Sequence, residues 1–154
     1  MLAHQEIYKS RPDVAAICRV QPPKLISLST MARVPAPRHG FGAFVDRLLS
    51  DPQLVRTPLE ARELAALHGD RNAIVMRGNG AIVVADAIER AVVLASYLED
   101  AARVELDILH TTTAVDGLLL SDEEARSRAT WTGGITERTW AYLTSGDCDP
   151  PTEA

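Results

Sequence analysis

The stretch NAIVMRGNGAIVVADAIERAVVLASYLEDAARVELDILH, residues 72–110, decides the fold of this chain. It contains two short apolar runs rich in β-branched residues, at 72–77 and 81–85, which predict two buried strands. Asn79-Gly80 between them is a favoured pair for a two-residue hairpin, because both central positions need a positive φ. The pattern therefore predicts a hairpin followed at once by a helix.

That helix is predicted over residues 88–109. Its apolar residues recur at helical spacing, so that one face packs on the sheet: Ile88, Ala91, Val92, Ala95, Leu98, Ala102, Leu106 and Leu109. Asp86, with Glu89 three residues later, predicts a capping box at its start. The acids Glu89, Glu99, Asp100, Glu105 and Asp107 predict a solvated outer face.

The rest of the chain alternates between short helices and strands. The predicted helices are 2–9, 25–32, 57–68, 121–129 and 136–144, and Thr57 with Glu60 and Ser121 with Glu124 predict capping boxes at the starts of two of them. The predicted strands are 14–20, expected to be central, and 53–56, at an edge. Residues 44–49 predict a short helix or turn, and 33–42 a loop rich in Pro and Gly. The pattern predicts one α/β domain over residues 1–146 and a flexible polar tail over 147–154.

Composition excludes several classes of function. The net charge is −5 and there is no basic cluster, so a nucleic-acid partner is not expected. No apolar run approaches the ~18 residues of a membrane span. Two cysteines make no disulfide framework and the N-terminus has no long apolar segment, so a reduced, cytoplasmic protein is predicted.

Two separated motifs carry a resemblance to a known family. The first is Arg77-Gly78-Asn79-Gly80, followed on the long helix by Leu98-Glu99-Asp100-Ala101-Ala102-Arg103; the second is residues 4–14, HQEIYKSRPDV, followed by Cys18-Arg19-Val20-Gln21-Pro22. With these motifs the chain resembles the class II aldolase/adducin superfamily over residues 2–140. The resemblance implies a layered α/β/α domain with a central, mainly antiparallel sheet.

The family's metal-binding histidines are replaced here. The resemblance implies ligand histidines at three positions, which in this chain are Arg19, Gln21 and Asn79. Arginine has no lone pair to donate and carries a positive charge, and neutral amides are poor ligands for zinc. The sequence therefore predicts neither a metal nor another cofactor at this site.

The replaced positions predict an anion site instead. Arg19 could bind a carboxylate or stabilise an enolate, with Gln21 and Asn79 orienting the same group. His39, in the Pro/Gly loop, and His4, on the first helix, are the candidates for moving protons. The alternative is that Arg19 pairs with an internal acid or lies in a subunit interface, and that His4 is a surface or interface residue.

Three functions follow from this pattern. The first is a metal-independent lyase, decarboxylase or cyclase acting on a small oxygenated acid in specialised metabolism. The second is a non-catalytic assembly module of adducin type. The third is a subunit that lacks the family's N-terminal part, including a glutamate before His4, and is completed by a partner chain or by self-association. The family's symmetric tetramers imply a homo-oligomer.

Overall fold

A computed structural model describes residues 2–39, 48–49, 55–111 and 119–146. Its helices are α1 (Leu2–Ser10), α2 (Pro23–Thr30), α3 (Pro58–His68), α4 (Ile88–Thr111), α5 (Asp122–Arg128) and α6 (Ile135–Thr144). Its strands are β1 (Ala16–Val20), β2 (Leu48–Leu49), β3 (Ala73–Met76) and β4 (Ala81–Ala85). The predicted hairpin, the long helix and the shorter helices are confirmed, with small shifts at their ends. The predicted polar tail, residues 147–154, lies outside the described residues.

The sheet is mainly antiparallel, as predicted. Its strand order is β1-β4-β3-β2, with β1 and β3 antiparallel to β4 and β2 parallel to β3. The prediction that β1 is central is wrong, because in the described sheet it lies at one end. Its apolar side chains divide between the two faces of the sheet: Cys18 and Val20 pack against one core and Ile17 against the other.

Helices cover both faces of the sheet and make a three-layer domain. Alternate residues of β4 enter different cores, since successive side chains of a strand point to opposite faces. Val83 packs with Leu25 of α2 and Leu98 of α4 in one core. Ile82 packs with Ile7 of α1 and Leu64 of α3 in the other. This arrangement confirms the predicted α/β/α architecture.

The segment before α3 differs from the prediction. Leu48–Leu49 is a strand rather than a helix or turn, and residues 40–47 lie outside the described chain. Of the predicted strand 53–56, the described residues Val55 and Arg56 are irregular. The capping box of α3, which is confirmed, explains this: the backbone N–H of Arg56 donates to the Glu60 carboxylate at 2.7 Å rather than to a neighbouring strand.

The hairpin turn is also built differently. Positive φ angles occur at Gly78 (68°) and Gly80 (76°), whereas Asn79 is not among the described residues with positive φ. The N–H of Asn79 donates to the carbonyl of Met76 at 2.9 Å, which places Gly78 at the third position of a β-turn. The prediction of Asn79-Gly80 as the two central residues is therefore wrong.

Acidic residues of α4 hold other elements rather than facing solvent throughout. Just before α4, Asp86 pairs with Arg90 of the helix at 2.7 Å in place of the predicted capping box. The Glu99 carboxylate accepts hydrogen bonds from the N–H groups of Lys24 and Leu25 at 3.0 and 2.9 Å. It thereby caps α2, whose own N-cap, Pro22, offers no side-chain acceptor.

Within the described ranges, no helix is both long and apolar enough to cross a bilayer.

We expect acid to destabilise the fold through His68. This side chain is 1% exposed, and burial lowers its pKa below the usual 6.5. Between 6.5 and the folded-state value the unfolded chain binds more protons than the folded chain, so stability is lost as the pH falls below about 6.5. The test measures the urea concentration at the midpoint of unfolding at about pH 7.5 and at about pH 5.5. The decrease in this midpoint from the higher to the lower pH should be smaller for His68→Gln than for the wild type. Exposed His110→Gln is the matched control, and an equal fall in all three proteins would contradict the prediction.

Candidate functional site

Most of the predicted site residues line one cavity or are hydrogen-bonded to a residue that lines it. It has a volume of about 340 Å³, and its polar lining includes His4 of α1, Arg19 of β1 and Asn79 of the β3–β4 turn. Gln21 does not line the cavity, but its amide Nε2 donates to Asn79 Oδ1 at 3.2 Å. Four of the five predicted residues are therefore brought to one place.

The close approach of β1 to the hairpin creates this arrangement. Val20 pairs with Ala81 in the strand register, and Gly80 packs its Cα against the carbonyl of Val20. A Cβ at Gly80 would overlap that carbonyl, so only glycine fits. The turn is held from the other side by Ser29 of α2, whose hydroxyl accepts a hydrogen bond from the N–H of Gly78 at 2.9 Å.

Arg19 is half-buried and is held by backbone carbonyls. Its Nη1 donates to the carbonyl of Val20 at 2.9 Å and to that of Ala81 at 3.5 Å. Burial lowers the pKa of its guanidinium, but arginine stays protonated at any accessible pH. In the described part of the chain no carboxylate pairs with it, so the predicted internal salt bridge is not seen there. The guanidinium is a fixed positive charge at the wall of the cavity.

His4 faces the same cavity as a largely neutral imidazole. Burial lowers its pKa below 6.5, and the nearby charge of Arg19 lowers it further. A neutral imidazole can accept a proton at one nitrogen and donate from the other. His4 is therefore suited to proton transfer next to a bound anion.

Arg56 and an apolar wall form the rest of the described lining of the cavity, and sequence reasoning missed both. Arg56 lies in the irregular segment before α3 and lines the cavity. The described lining contains no aspartate or glutamate. The apolar wall consists of Leu2, Ala3, Val55, Met76 and Ile82. No local pattern distinguishes Arg56 from an ordinary surface arginine. Only the packing of the segment before α3 against α1 and the hairpin reveals it.

His39 lies elsewhere, contrary to the prediction that it shares the site. The residue before it, Arg38, forms an ion pair with Glu105 of α4, and α4 covers the face of the sheet opposite to α1 and α3. The lining of the cavity does not include His39. The described part of the Pro/Gly loop, residues 33–39, is thus tied by Arg38 to the other layer of the domain.

The residues at the three positions where the resemblance implies metal ligands do not fit a transition metal. Zinc requires imidazole, thiolate or carboxylate donors, whereas these positions hold a guanidinium and two amides that bond to each other. Across residues 2–39, 55–111 and 119–146, no group of three His, Cys, Asp or Glu side chains is placed to bind a metal ion. The cavity instead offers positive charge, amide groups and one imidazole.

Comparison with known proteins identifies the family. Residues 1–106 match the sequence model of the class II aldolase and adducin N-terminal domain. The chain belongs to this family. Class II aldolase structures share its fold: L-fuculose 1-phosphate aldolase from Glaciozyma antarctica PI12 superposes with a TM-score of 0.71 at 19% identity, covering 93% of this chain and 58% of that chain. An aldolase II superfamily protein from Pseudomonas syringae gives 0.75 at 19% identity, covering 94% and 60%.

Two curated relatives are named 3,4-dihydroxyphthalate decarboxylase. The protein from Rhodococcus jostii (strain RHA1) is 25% identical over 114 residues, covering 69% of this chain and 47% of that protein. The protein from Arthrobacter keyseri is 28% identical over 127 residues, covering 77% and 51%. This class II aldolase domain thus spans about half the length of the curated relatives it matches.

Proposed function

We propose that this class II aldolase domain is a metal-independent decarboxylase or related carbon–carbon lyase. Its substrate is a small oxygenated carboxylate held in the cavity beside β1. The observation that carries the proposal is that Arg19, Asn79 and His4 line one cavity, with Gln21 hydrogen-bonded to Asn79. The names of the two curated relatives favour decarboxylation among the lyase reactions.

Decarboxylation requires a place for the electrons that the departing carbon dioxide leaves behind. The bond between the carboxyl carbon and its neighbour breaks, and the electron pair moves onto a carbonyl oxygen β to the carboxylate as an enolate. A dihydroxy aromatic acid supplies that carbonyl as the keto tautomer formed when the ring carbon bearing the carboxylate is protonated, and its product is a phenolate. In this proposal the Arg19 guanidinium stabilises that oxyanion, as a metal ion would elsewhere, and Asn79 helps to orient it. His4 transfers the proton that takes the place of the lost carboxyl group.

Assembly belongs to the same proposal. Members of this family often form oligomers, and the chain spans only part of its curated relatives. We propose that a second copy, or a partner chain, completes the walls of the cavity. The molar mass of each sample used in the assay below is therefore measured by light scattering, and any oligomer that forms is assayed as such. An oligomer that neither turns over nor binds carboxylates would instead support the non-catalytic module predicted as the alternative.

The test compares Arg19→Gln with the wild type after exhaustive chelation. Carbon dioxide release from 3,4-dihydroxyphthalate, the acid named for the relatives, should survive chelation in the wild type. It should fall roughly 100- to 1000-fold in the variant, the usual loss when a stabiliser of an oxyanion is removed. Exposed Arg103, which pairs with Asp100 on α4, gives the matched control Arg103→Gln. Activity that is lost on chelation and regained with zinc would refute metal independence.

A further inference from the structure

A second arginine, exposed to solvent, lines the cavity beside β1. Arg56 lines it from the segment before α3, and Arg19 lines it from β1. We propose that the two arginines each bind one carboxylate of a dicarboxylate substrate, and that Arg56 sets this specificity. The proposal rests on the proposed function, since it names the substrate class for the same cavity.

The charge of this cavity differs from that of two others on the domain. In a cavity of about 290 Å³, Arg11 is paired with Asp13 at 2.6 Å. In one of about 480 Å³, Arg90 is paired with Asp86 at 2.7 Å. The described lining of the cavity beside β1 contains two arginines and no aspartate or glutamate. Two positive charges at one cavity repel each other, and a dianion bound between them removes that repulsion.

The acid nearest to Arg56 in sequence, Glu60, interacts with it electrostatically but forms no ion pair with it among the described residues. The Glu60 carboxylate accepts hydrogen bonds from the backbone N–H groups of Arg56 and Thr57 at 2.7 and 3.0 Å. These hydrogen bonds lower the pKa of Glu60, and the positive charge of Arg56 helps to lower it. Glu60 serves as the cap of α3 and does not line the cavity. Over the described ranges, neither Arg56 nor Arg19 forms an ion pair with a carboxylate. Both guanidinium groups can therefore engage an anion from outside.

The remaining lining suits a compact apolar body between the two carboxylates. Val55, Met76 and Ile82 form part of the wall beside the arginines. A volume of about 340 Å³ lies near the lower end for small-molecule sites. An aromatic ring bearing two carboxylates combines an apolar body with charge at its edges. Guanidinium groups bind such carboxylates through paired, charge-assisted hydrogen bonds.

The test uses titration calorimetry with benzoate, phthalate, isophthalate and terephthalate. The best-spaced dicarboxylate should bind the wild type roughly tenfold to a hundredfold more tightly than benzoate, the range for one added charged hydrogen-bonded contact. Arg56→Gln should abolish that advantage and leave the affinity for benzoate within about twofold. Arg62→Gln is the matched control, because Arg62 is exposed on α3, carries the same charge and does not line the cavity.

Each outcome separates this inference from the proposed function. If benzoate and all three dicarboxylates bind the wild type equally, and Arg19→Gln abolishes their binding, the proposed function stands and the two-arginine inference fails. If Arg56→Gln weakens benzoate and the dicarboxylates by the same factor, Arg56 supplies only a general positive field, and the inference also fails. If none of the four acids binds the wild type, the proposed carboxylate site itself is wrong.

Discussion

Replacing Glu105 by alanine should lower the free energy of unfolding by roughly 3–5 kcal/mol, the usual loss when one partner of a buried ion pair is removed. Glu105 and Arg38 are 3% and 5% exposed, and two hydrogen bonds of 2.5 and 3.1 Å join their carboxylate and guanidinium. The substitution deprives a buried guanidinium of this carboxylate. It also releases the Pro/Gly loop from α4. Urea denaturation monitored by circular dichroism measures the change.

A double variant separates the charge effect from simple loss of packing. Arg38→Met with Glu105→Leu removes both charges and keeps apolar volume, so it should recover most of the stability lost in Glu105→Ala. Asp107→Ala removes an exposed acid from the same helix and is the matched control, with an expected change within about 0.5 kcal/mol. A loss for Glu105→Ala no larger than that for Asp107→Ala would show that the pair contributes little.

Short-range patterns predicted the elements of this fold well. The capping boxes at Thr57 and Ser121 depend on residues three apart, and both are present. The apolar face of α4 follows helical spacing, and Leu98 and Ala102 are fully buried as expected. Such signals are contained within a few residues, so a sequence displays them directly. The order of the strands is not local, which is why β1 was misplaced at the centre.

Contacts between distant residues could not be predicted in the same way. Glu99 and Glu105 look like members of a solvated helix face, but their carboxylates bind α2 and the Pro/Gly loop, 75 and 67 residues away in sequence. Arg56 joins the cavity only because the segment before α3 packs near β1 and the hairpin. The resemblance to the family predicted that Arg19, Gln21 and Asn79 share a site, because a match to family motifs carries information on the three-dimensional structure that periodicity lacks. His39 had no such support, and it does not line the cavity that contains His4, Arg19 and Asn79.

The site depends on one glycine, which provides the second large expected effect. Gly80 and Gly78 both have positive φ angles, 76° and 68°. A Cβ added at Gly78 meets nothing within 4 Å, whereas one added at Gly80 overlaps the carbonyl of Val20. The two positions therefore share the backbone strain of an alanine substitution and differ in the steric overlap. Comparing them isolates the close approach of β1 to the hairpin.

Gly78→Ala should lower the free energy of unfolding by about 1–2 kcal/mol, the strain of an L-residue in the left-handed region. Gly80→Ala should lose a further 1–3 kcal/mol or so, because β1 must move away from the turn. That movement separates Gln21 from Asn79, so Gly80→Ala should also weaken benzoate binding at least about tenfold, whereas Gly78→Ala should not. Denaturation and calorimetry on the two variants, at a temperature where both are folded, measure these effects. Equal benzoate affinities in the two would mean that the contact between β1 and the turn stabilises the fold without shaping the cavity.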